Sequence, residues 1–322
     1  MASDNFLNSV MRQPLTMQSE TVIKLVETAC RSQALKLDEA MKRLFADPDD
    51  EAVHDVRVAC RRTRVILNIS EKLFRKRLLK AVQKRVKKLL SFLGDIRDAE
   101  VFSLRAHQAV GDSSNKKMEE LAHLFDAETQ LQRIKSVAVI ERENFSTLPR
   151  LIQAMAAPAA WEPKKAGRFE KASAGRFALG VLTEQMRQIR KYEELNAKSK
   201  SGKLHSLRIE FKKLRYATEF AEPAFRAGEL KPFLKVSRQM QETLGKLQDT
   251  AVAQEKLQPW LRRKTGGSDS FDSALRELVQ RTQTEAASLR GQFGEKWAAR
   301  PCNELFKMLE VLRKQSVAVV HD

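Results

Sequence analysis

The chain has 322 residues, and its 59 lysines and arginines exceed its 41 aspartates and glutamates, giving a formal net charge of +18 at pH 7. Its 12 glycines and 9 prolines are too few for a β-sandwich or barrel, in which turn residues recur about every 8–12 positions. The hydrophobic fraction of 42% excludes a disordered basic tail. We therefore expect an all-α globular protein with a polyanionic partner.

Cysteine usage and hydropathy bear on the compartment. Cys30, Cys60 and Cys302 lie far apart in the sequence, which indicates a reducing compartment and argues against a zinc site. The first 18 residues contain no apolar segment of signal-peptide length, and no stretch approaches the ~20 apolar residues that span a bilayer. We expect a cytoplasmic protein without membrane contact, metal or cofactor.

Helical periodicity predicts helices over most of the chain. The predicted helices cover residues 19–45, 51–73, 76–93, 95–110, a segment ending near 143, 168–197, 203–221, 230–247, 248–263, 272–290 and 295–316. Gly94 and Gly245 are predicted to end helices or to form tight turns. The segment 157–167 contains two prolines and is the predicted linker between an N-terminal unit, 1–160, and a C-terminal unit, 161–322.

An internal repeat is the most informative feature of the sequence. Residues 54–64 and 205–215 both fit the pattern H-x-x-R-x-x-x-[RK]-[RK]-x-R, at an offset of 151 positions. The match continues without a gap to Leu93-Gly94 and Leu244-Gly245. An offset held over this length predicts two copies of one helical unit.

The repeated helices carry basic stripes. At about 100° per residue, His54, Arg57, Arg61 and Arg64 share one helix face, and their counterparts do the same. Like charges at this spacing repel one another, and the stripes lack interspersed carboxylates, so they indicate a multivalent anionic ligand. The predicted binding residues are His54, Arg57, Arg61, Arg62, Arg64, Arg75, Lys80, Lys84, Lys87, Lys88, His205, Arg208, Lys212, Lys213, Arg215, Arg226, Lys231, Lys235 and Arg238.

Two further residue types in the repeat leave alternatives open. His54 and His205 are predicted to lie in the first turn of a helix, where an imidazole either makes a local hydrogen bond or donates to phosphate. Asp98 and Asp249 either cap a helix or orient a neighbouring arginine.

The duplicated histidine helix, followed forty residues later by Leu-Gly-x-[Ile/Leu]-x-Asp, resembles the CHAD domain (conserved histidine α-helical domain). The resemblance covers residues 15–316 and implies two four-helix-bundle-like repeats, related by pseudo-twofold symmetry around a central basic cavity or pore. It also implies binding of inorganic polyphosphate and association with polyphosphate granules. By the match, the binding residues include His54, Arg57, Arg61, Arg62 and Arg64, with His205, Arg208, Lys212, Lys213 and Arg215 as their counterparts.

The chain departs from some members of that family. The E-x-E-x-K strand of the CYTH triphosphatase domain, which is often fused to a CHAD domain, is missing from the sequence. We therefore expect a stand-alone CHAD domain without triphosphatase activity. In the second copy, Lys212-Lys213 corresponds to the Arg61-Arg62 pair of the first copy, and Gln239 corresponds to Lys88.

Three functions are compared on this basis. The leading one is non-catalytic binding of inorganic polyphosphate, for which phosphate or sulfate ions would be mimics. A nucleic-acid-binding protein is the alternative, although helix-turn-helix, zinc-finger and aromatic RNA-binding motifs are not found. A phosphate-transfer or hydrolysis enzyme using His54 or His205 is a third reading, disfavoured because the motifs lack a repeated carboxylate pair. A homodimer is compatible with all three.

Overall fold

The computed structural model describes residues 20–111, 116–262 and 269–318. Within these ranges the protein is all-α, as predicted, and its only β-type pairings are two isolated bridges, Thr21 with Ser173 and Phe74 with Trp161. The helices are α1 (Val22–Ala46), α2 (Asp50–Ile69), α3 (Lys76–Gly111), α4 (Lys116–Arg142), α5 (Leu148–Ala154), α6 (Pro163–Lys171), α7 (Ala174–Arg190), α8 (Ser201–Ala221), α9 (Lys231–Arg262), α10 (Asp269–Ala298) and α11 (Asn303–Ala318).

Local side-chain chemistry sets the start of several helices. The Asp49 carboxylate accepts a hydrogen bond from the backbone N–H of Ala52 at 2.7 Å and so caps α2. The Thr21 and Ser173 hydroxyls cap α1 and α7 in the same way. Each cap satisfies a backbone donor that the first helical turn leaves without an intrahelical partner.

Two predicted helix ends are wrong. Gly94 lies inside α3 and Gly245 inside α9, so each pair of predicted helices is one continuous helix. A glycine in a helix interior costs only about 1 kcal/mol relative to alanine. Leu93 and Ile96 beside Gly94, and Leu244 and Leu247 beside Gly245, are buried, and this burial outweighs the cost of the glycine. The turn predicted at 111–115 and the break predicted at 265–270 fall largely outside the described residues.

Helices from the two halves of the chain pack against one another. Helix α2 contacts α8, α3 contacts α9, and α4 contacts α10. The main hydrophobic core includes residues of α1, α2, α3, α5, α7, α8, α9 and α11. A smaller cluster, with Phe102 and Phe125 at a ring-centroid distance of 4.1 Å, joins the distal parts of α3, α4, α9 and α10. The pairs α2–α8 and α3–α9 are those that the sequence repeat relates.

The predicted linker between the halves is attached to the first half. The backbone N–H of Arg75 donates to the Ala160 carbonyl at 2.9 Å, and that of Glu162 donates to the Leu73 carbonyl at 2.7 Å. The N–H of Val22 donates to the Ala172 carbonyl at 3.1 Å. The division of the chain at residue 160 stays a prediction. Over the described residues, no helix has both the length and the apolar character needed to cross a bilayer.

Candidate anion-binding cavity

A cavity of about 670 Å³ lies between α2, α3, α8 and α9. It is referred to below as the main cavity. Its wall is built from the first three turns of α2, the middle of α3, the start of α8 and the middle of α9. The lining residues are Asp50, Glu51, Val53, His54, Arg57, Arg61, Arg97, Asp98, Glu100, Val101, His205, Arg208, Gln248, Asp249 and Val252.

The main cavity draws matching positions from both halves of the chain. Five pairs of lining residues are separated by the 151 positions of the sequence repeat: His54 and His205, Arg57 and Arg208, Arg97 and Gln248, Asp98 and Asp249, and Val101 and Val252. Arg61 also lines the cavity, whereas its counterpart Lys212 is not among the lining residues. The repeat therefore brings corresponding side chains to a common space.

Arg57 is a half-buried cation on the wall of this cavity. Its Nη1 donates to the carbonyl oxygen of Leu93 on α3, which fixes the guanidinium against that helix. Burial, together with repulsion from Arg61 and Arg97, lowers the pKa of Arg57 to about 10. The group therefore remains cationic at neutral pH, but its charge is only partly compensated by Glu100 and Asp98.

Arg208 and Lys212 on α8 are also basic side chains whose pKa values are lowered by burial and by neighbouring arginines. Burial lowers the pKa of Arg208, Asp249 acts in the opposite direction, and Arg61 and Arg97 repel it. The Nε atom of Arg208 is buried and has no hydrogen-bond partner among the described residues. Burial is also the main cause that lowers the pKa of Lys212 to about 6, reinforced by repulsion from Arg208, Arg61 and Arg57. These four basic side chains, Arg57, Arg61, Arg208 and Lys212, are referred to below as the cationic cluster, and they come from both halves of the chain.

Carboxylates also line the main cavity. Glu100 accepts a hydrogen bond from Arg133 Nη2 at 3.3 Å, and Asp50 accepts from the same Arg133. Burial and repulsion from Asp50 raise the pKa of Glu100, while Arg97 and Arg133 act against that rise. Asp50 and Glu100 thus share Arg133, an arginine outside the cationic cluster, as their partner.

The two motif aspartates lie close to the arginines of the motif. Asp98 stabilises charged Arg57, and Asp249 stabilises charged Arg208. Burial raises the pKa of Asp98, and Lys256 and Arg57 oppose that shift. Both aspartates lie in helix interiors, so the helix-capping alternative is wrong. The arginine-orienting alternative is the one that fits this geometry.

Both motif histidines are exposed and line the main cavity. Each is the fifth residue of its helix, so they lie at the start of the second turn and not, as predicted, in the first turn. His205 Nδ1 is hydrogen-bonded to the Gln248 side chain of α9. This bond holds one imidazole in place and leaves its Nε2 for another partner. The histidines can therefore contact a ligand that enters the cavity.

Two predicted residues, Arg62 and Arg215, have their charges compensated within the protein. Arg62 Nε donates to Glu219 Oε2 at 2.7 Å, and Arg215 Nε donates to Glu219 Oε1 at 3.1 Å. Glu219 therefore ties α2 to α8. Arg62 also lines a second cavity of about 460 Å³, together with Arg238 and residues of α1 and α9.

The other predicted basic residues lie away from the main cavity. Lys213 is ion-paired with Glu210 at 2.7 Å and Lys88 with Glu143 at 2.5 Å, while Arg75 Nε donates to the Trp161 carbonyl at 3.1 Å. Arg226 lies beside Glu229, which accepts from its backbone N–H. The remaining residues are exposed and form no ion pair within the described part of the chain: Arg64, Lys80, Lys84, Lys87, Lys231 and Lys235. Their contact with a ligand stays a prediction.

The sequence interpretation did not include several lining residues. Arg97 replaces the expected lysine stripe as the α3 contribution to the main cavity, and Glu100, Asp50, Glu51 and Gln248 were also missed. A signal for Arg97 exists, because it lies within the Leu-Gly-x-x-x-Asp motif. Its counterpart is the uncharged Gln248, so a search for charge repeated in both copies overlooks it.

The described residues include no group of three or more His, Cys, Asp or Glu side chains that could hold a metal ion. A comparison with curated protein sequences finds no significant match.

Solved structures share the fold. The CHAD domain from the plant Ricinus communis matches with a TM-score of 0.63 and 19% identity, covering 94% of this chain and 97% of that chain. PptA from Streptomyces chartreusis matches with a TM-score of 0.62 and 15% identity, covering 86% of this chain and all of the other. The family model for the CHAD domain matches residues 28–258. Since this span is more than half of the sequence, the chain belongs to the CHAD domain family.

Proposed function

We propose that the protein binds inorganic polyphosphate, without catalysis, in the main cavity. The observation that carries the proposal is the cationic cluster. Burial lowers the pKa values of Arg57, Arg208 and Lys212, and repulsion from Arg61 lowers all three further. Such repulsion destabilises the free protein and is relieved when a multivalent anion enters. Guanidinium groups suit this ligand because they match phosphate oxygens with two parallel hydrogen bonds.

The shape and composition of the main cavity favour a phosphate chain over nucleic acid. None of its lining residues is Phe, Tyr or Trp, so it lacks the large aromatic rings on which bases usually stack. A polyphosphate chain has no bases and requires only closely spaced cations and hydrogen-bond donors. His54 and His205 at the rim would add donors to phosphate oxygens.

The proposal excludes hydrolysis or phosphoryl transfer as the main activity. The two motif carboxylates, Asp98 and Asp249, stabilise the charges of Arg57 and Arg208. Glu100 accepts a hydrogen bond from Arg133. A hydrolase needs a carboxylate that is available to bind Mg²⁺ or to activate water. We therefore expect no phosphate release when the protein is incubated with polyphosphate and Mg²⁺.

A titration with long-chain polyphosphate at increasing salt tests the proposal. We expect binding whose logarithmic affinity falls linearly with the logarithm of salt concentration, because the interaction displaces counterions. The double variant Arg61→Glu with Lys212→Glu should lose at least tenfold in affinity. The matched control is Lys164→Glu with Lys165→Glu, which changes the charge equally on the exposed surface of α6.

The outcomes separate the main cavity from the overall charge. Equal loss in both double variants would contradict a site in the main cavity and leave only the net charge of the chain as the cause of binding. No binding at low salt would overturn the proposed function. Duplex DNA that competes as well as polyphosphate at equal phosphate concentration would favour the nucleic-acid alternative. In cells, we propose that a fluorescently tagged chain associates with polyphosphate granules.

A further inference from the structure

An exposed apolar stripe runs along α4 on the side opposite its buried face. Leu124, Leu131 and Ile134 are 41%, 50% and 64% exposed, and Ala127 and Ala138 are exposed on the same face. The five residues follow the 3–4–3–4 spacing of a coiled-coil seam. They are referred to below as the α4 seam. At about 1.5 Å per residue, the seam extends over about 21 Å.

The α4 seam has no function in the proposed polyphosphate site. None of its residues lines the main cavity or the second cavity. Among the described side chains of α10, which packs against α4 from the other half of the chain, no large apolar residue is exposed. Among the described residues the stripe is therefore a feature of the first half, and a contiguous apolar patch on a strongly charged protein marks an interaction surface.

The seam is complementary to itself in an antiparallel arrangement. A twofold axis at the level of Leu131 places that residue against its own symmetry mate. The same axis places Leu124 opposite Ala138 of a second copy, and Ala127 within about one residue of Ile134. Leu124 and Ile134 then each face an alanine, and Leu131 alone faces a large side chain, that of its own symmetry mate. Such alternation of large and small residues favours close helix packing.

The charges beside the seam match the same axis. Glu128 and Lys135 are exposed on one flank of the seam, and no ion pair is formed by either within the described residues. An axis perpendicular to the helices keeps this flank on the same side in both copies. Glu128 of each copy would then lie within about one helical turn of Lys135 of the other, giving two symmetric interchain ion pairs.

We propose that the α4 seam is the interface of a homodimer, formed by two antiparallel α4 helices around a twofold axis at Leu131. The occupant is a second copy of this chain because both the size pattern and the charge pattern are self-complementary. The apolar strip is short, so the dimer should be in equilibrium with the monomer at accessible concentrations. The proposal does not depend on polyphosphate binding.

Sedimentation velocity over a range of protein concentrations tests this proposal. We expect the mass to rise from that of one chain to that of two. Leu131→Asp should leave only monomer, because it places two carboxylates on the twofold axis. The matched control is Leu35→Asp on α1, a residue that is 64% exposed and lies outside the seam. Circular dichroism should show equal helix content in all variants.

A charge reversal gives a second, independent test. Glu128→Lys alone places lysine opposite lysine in two symmetric positions, and should weaken dimerisation about tenfold. Lys135→Glu alone should do the same, whereas the two substitutions together should restore dimerisation. A monomer at every concentration overturns the proposal. A dimer that is indifferent to Leu131→Asp, or a double reversal that does not restore dimerisation, also overturns it.

Discussion

Lys212 is the residue at which folding and ligand binding conflict. Its ammonium group is half-buried beside Arg61, Arg57 and Arg208, and this environment lowers its pKa to about 6. Between pH 6 and the ordinary lysine pKa of about 10.5, the unfolded chain therefore binds more protons than the folded one. Stability should rise with pH through this window, and the full penalty applies below pH 6.

Replacing Lys212 by methionine removes this conflict. We expect Lys212→Met to stabilise the free protein by roughly 1–3 kcal/mol at neutral pH, because the buried lysine must either give up its proton or stay charged among arginines, and an apolar side chain avoids both costs. The same variant should bind polyphosphate more weakly. Chemical denaturation measures the first effect. Lys213→Met is the control, since Lys213 is exposed and paired with Glu210; equal stabilisation by both would contradict the argument.

At the scale of a helix, Gly94 is a glycine for which the free protein gives no steric reason. A Cβ built at Gly94 in α3 meets no atom within 4 Å, and the same holds for Gly245 in α9. In contrast, a Cβ at Gly294 would lie 3.0 Å from Ala197 Cβ. Space is therefore needed at Gly294 but not at the two motif glycines in the free protein.

Gly94→Ala should stabilise the free protein by about 0.5–1 kcal/mol, because alanine loses less backbone entropy in a helix. Gly294→Ala should destabilise it, since α10 must move away from Ala197. Thermal denaturation of the two variants gives the signs. A loss of stability in Gly94→Ala would show that this position is sterically restricted. Weaker polyphosphate binding by a stabilised Gly94→Ala variant would show that the ligand uses the space.

Glu219 connects two helices by accepting from an arginine of each. Its carboxylate is 17% exposed, and its partners Arg62 and Arg215 are 28% and 31% exposed. Glu219→Gln should destabilise the protein by roughly 1–3 kcal/mol, because two partly buried guanidinium groups lose their counter-charge. It should also tighten polyphosphate binding at low salt, as two more cations become available. Glu222→Gln, on the exposed end of α8, is the control, and an equal loss of stability there would contradict the prediction.

The sequence predicted the helical elements better than their ends. The amphipathic pattern gave α2 and α8 to within a few residues, because burial of one face decides where such a helix forms. The same pattern predicted helix ends at Gly94 and Gly245. Glycine disfavours a helix locally, but the burial of the neighbouring leucines outweighs that tendency, and both helices continue. Helix α10 likewise continues through Gly291 and Gly294 to Ala298. Propensity is a weak signal when tertiary packing continues on both sides of a residue.

At the scale of the whole molecule, the repeat identified the lining residues of α2 and α8 more completely than those of α3 and α9. Residues repeated in both copies, such as His54 with His205 and Arg57 with Arg208, reach the main cavity. The lysine stripe of α3 does not, because the part of that helix that faces the cavity lies further along, at Arg97–Val101. Helix periodicity predicts which residues share a face of a helix. Which part of a long helix lies against its neighbours depends on packing between the two halves of the chain.

At the same scale, the proposed function predicts that polyphosphate binding and proton binding are linked. Lys212 is largely neutral above pH 6 in the free protein, and a polyanion beside it would raise its pKa. Binding should therefore take up protons near about pH 8, and affinity should be highest below pH 6 and fall as pH rises. Calorimetry in two buffers of different ionisation enthalpy measures the uptake. Lys212→Arg keeps the charge but does not titrate. This variant should therefore take up to one proton fewer from solution when it binds polyphosphate. Equal uptake by both proteins would show that Lys212 is not the linked group.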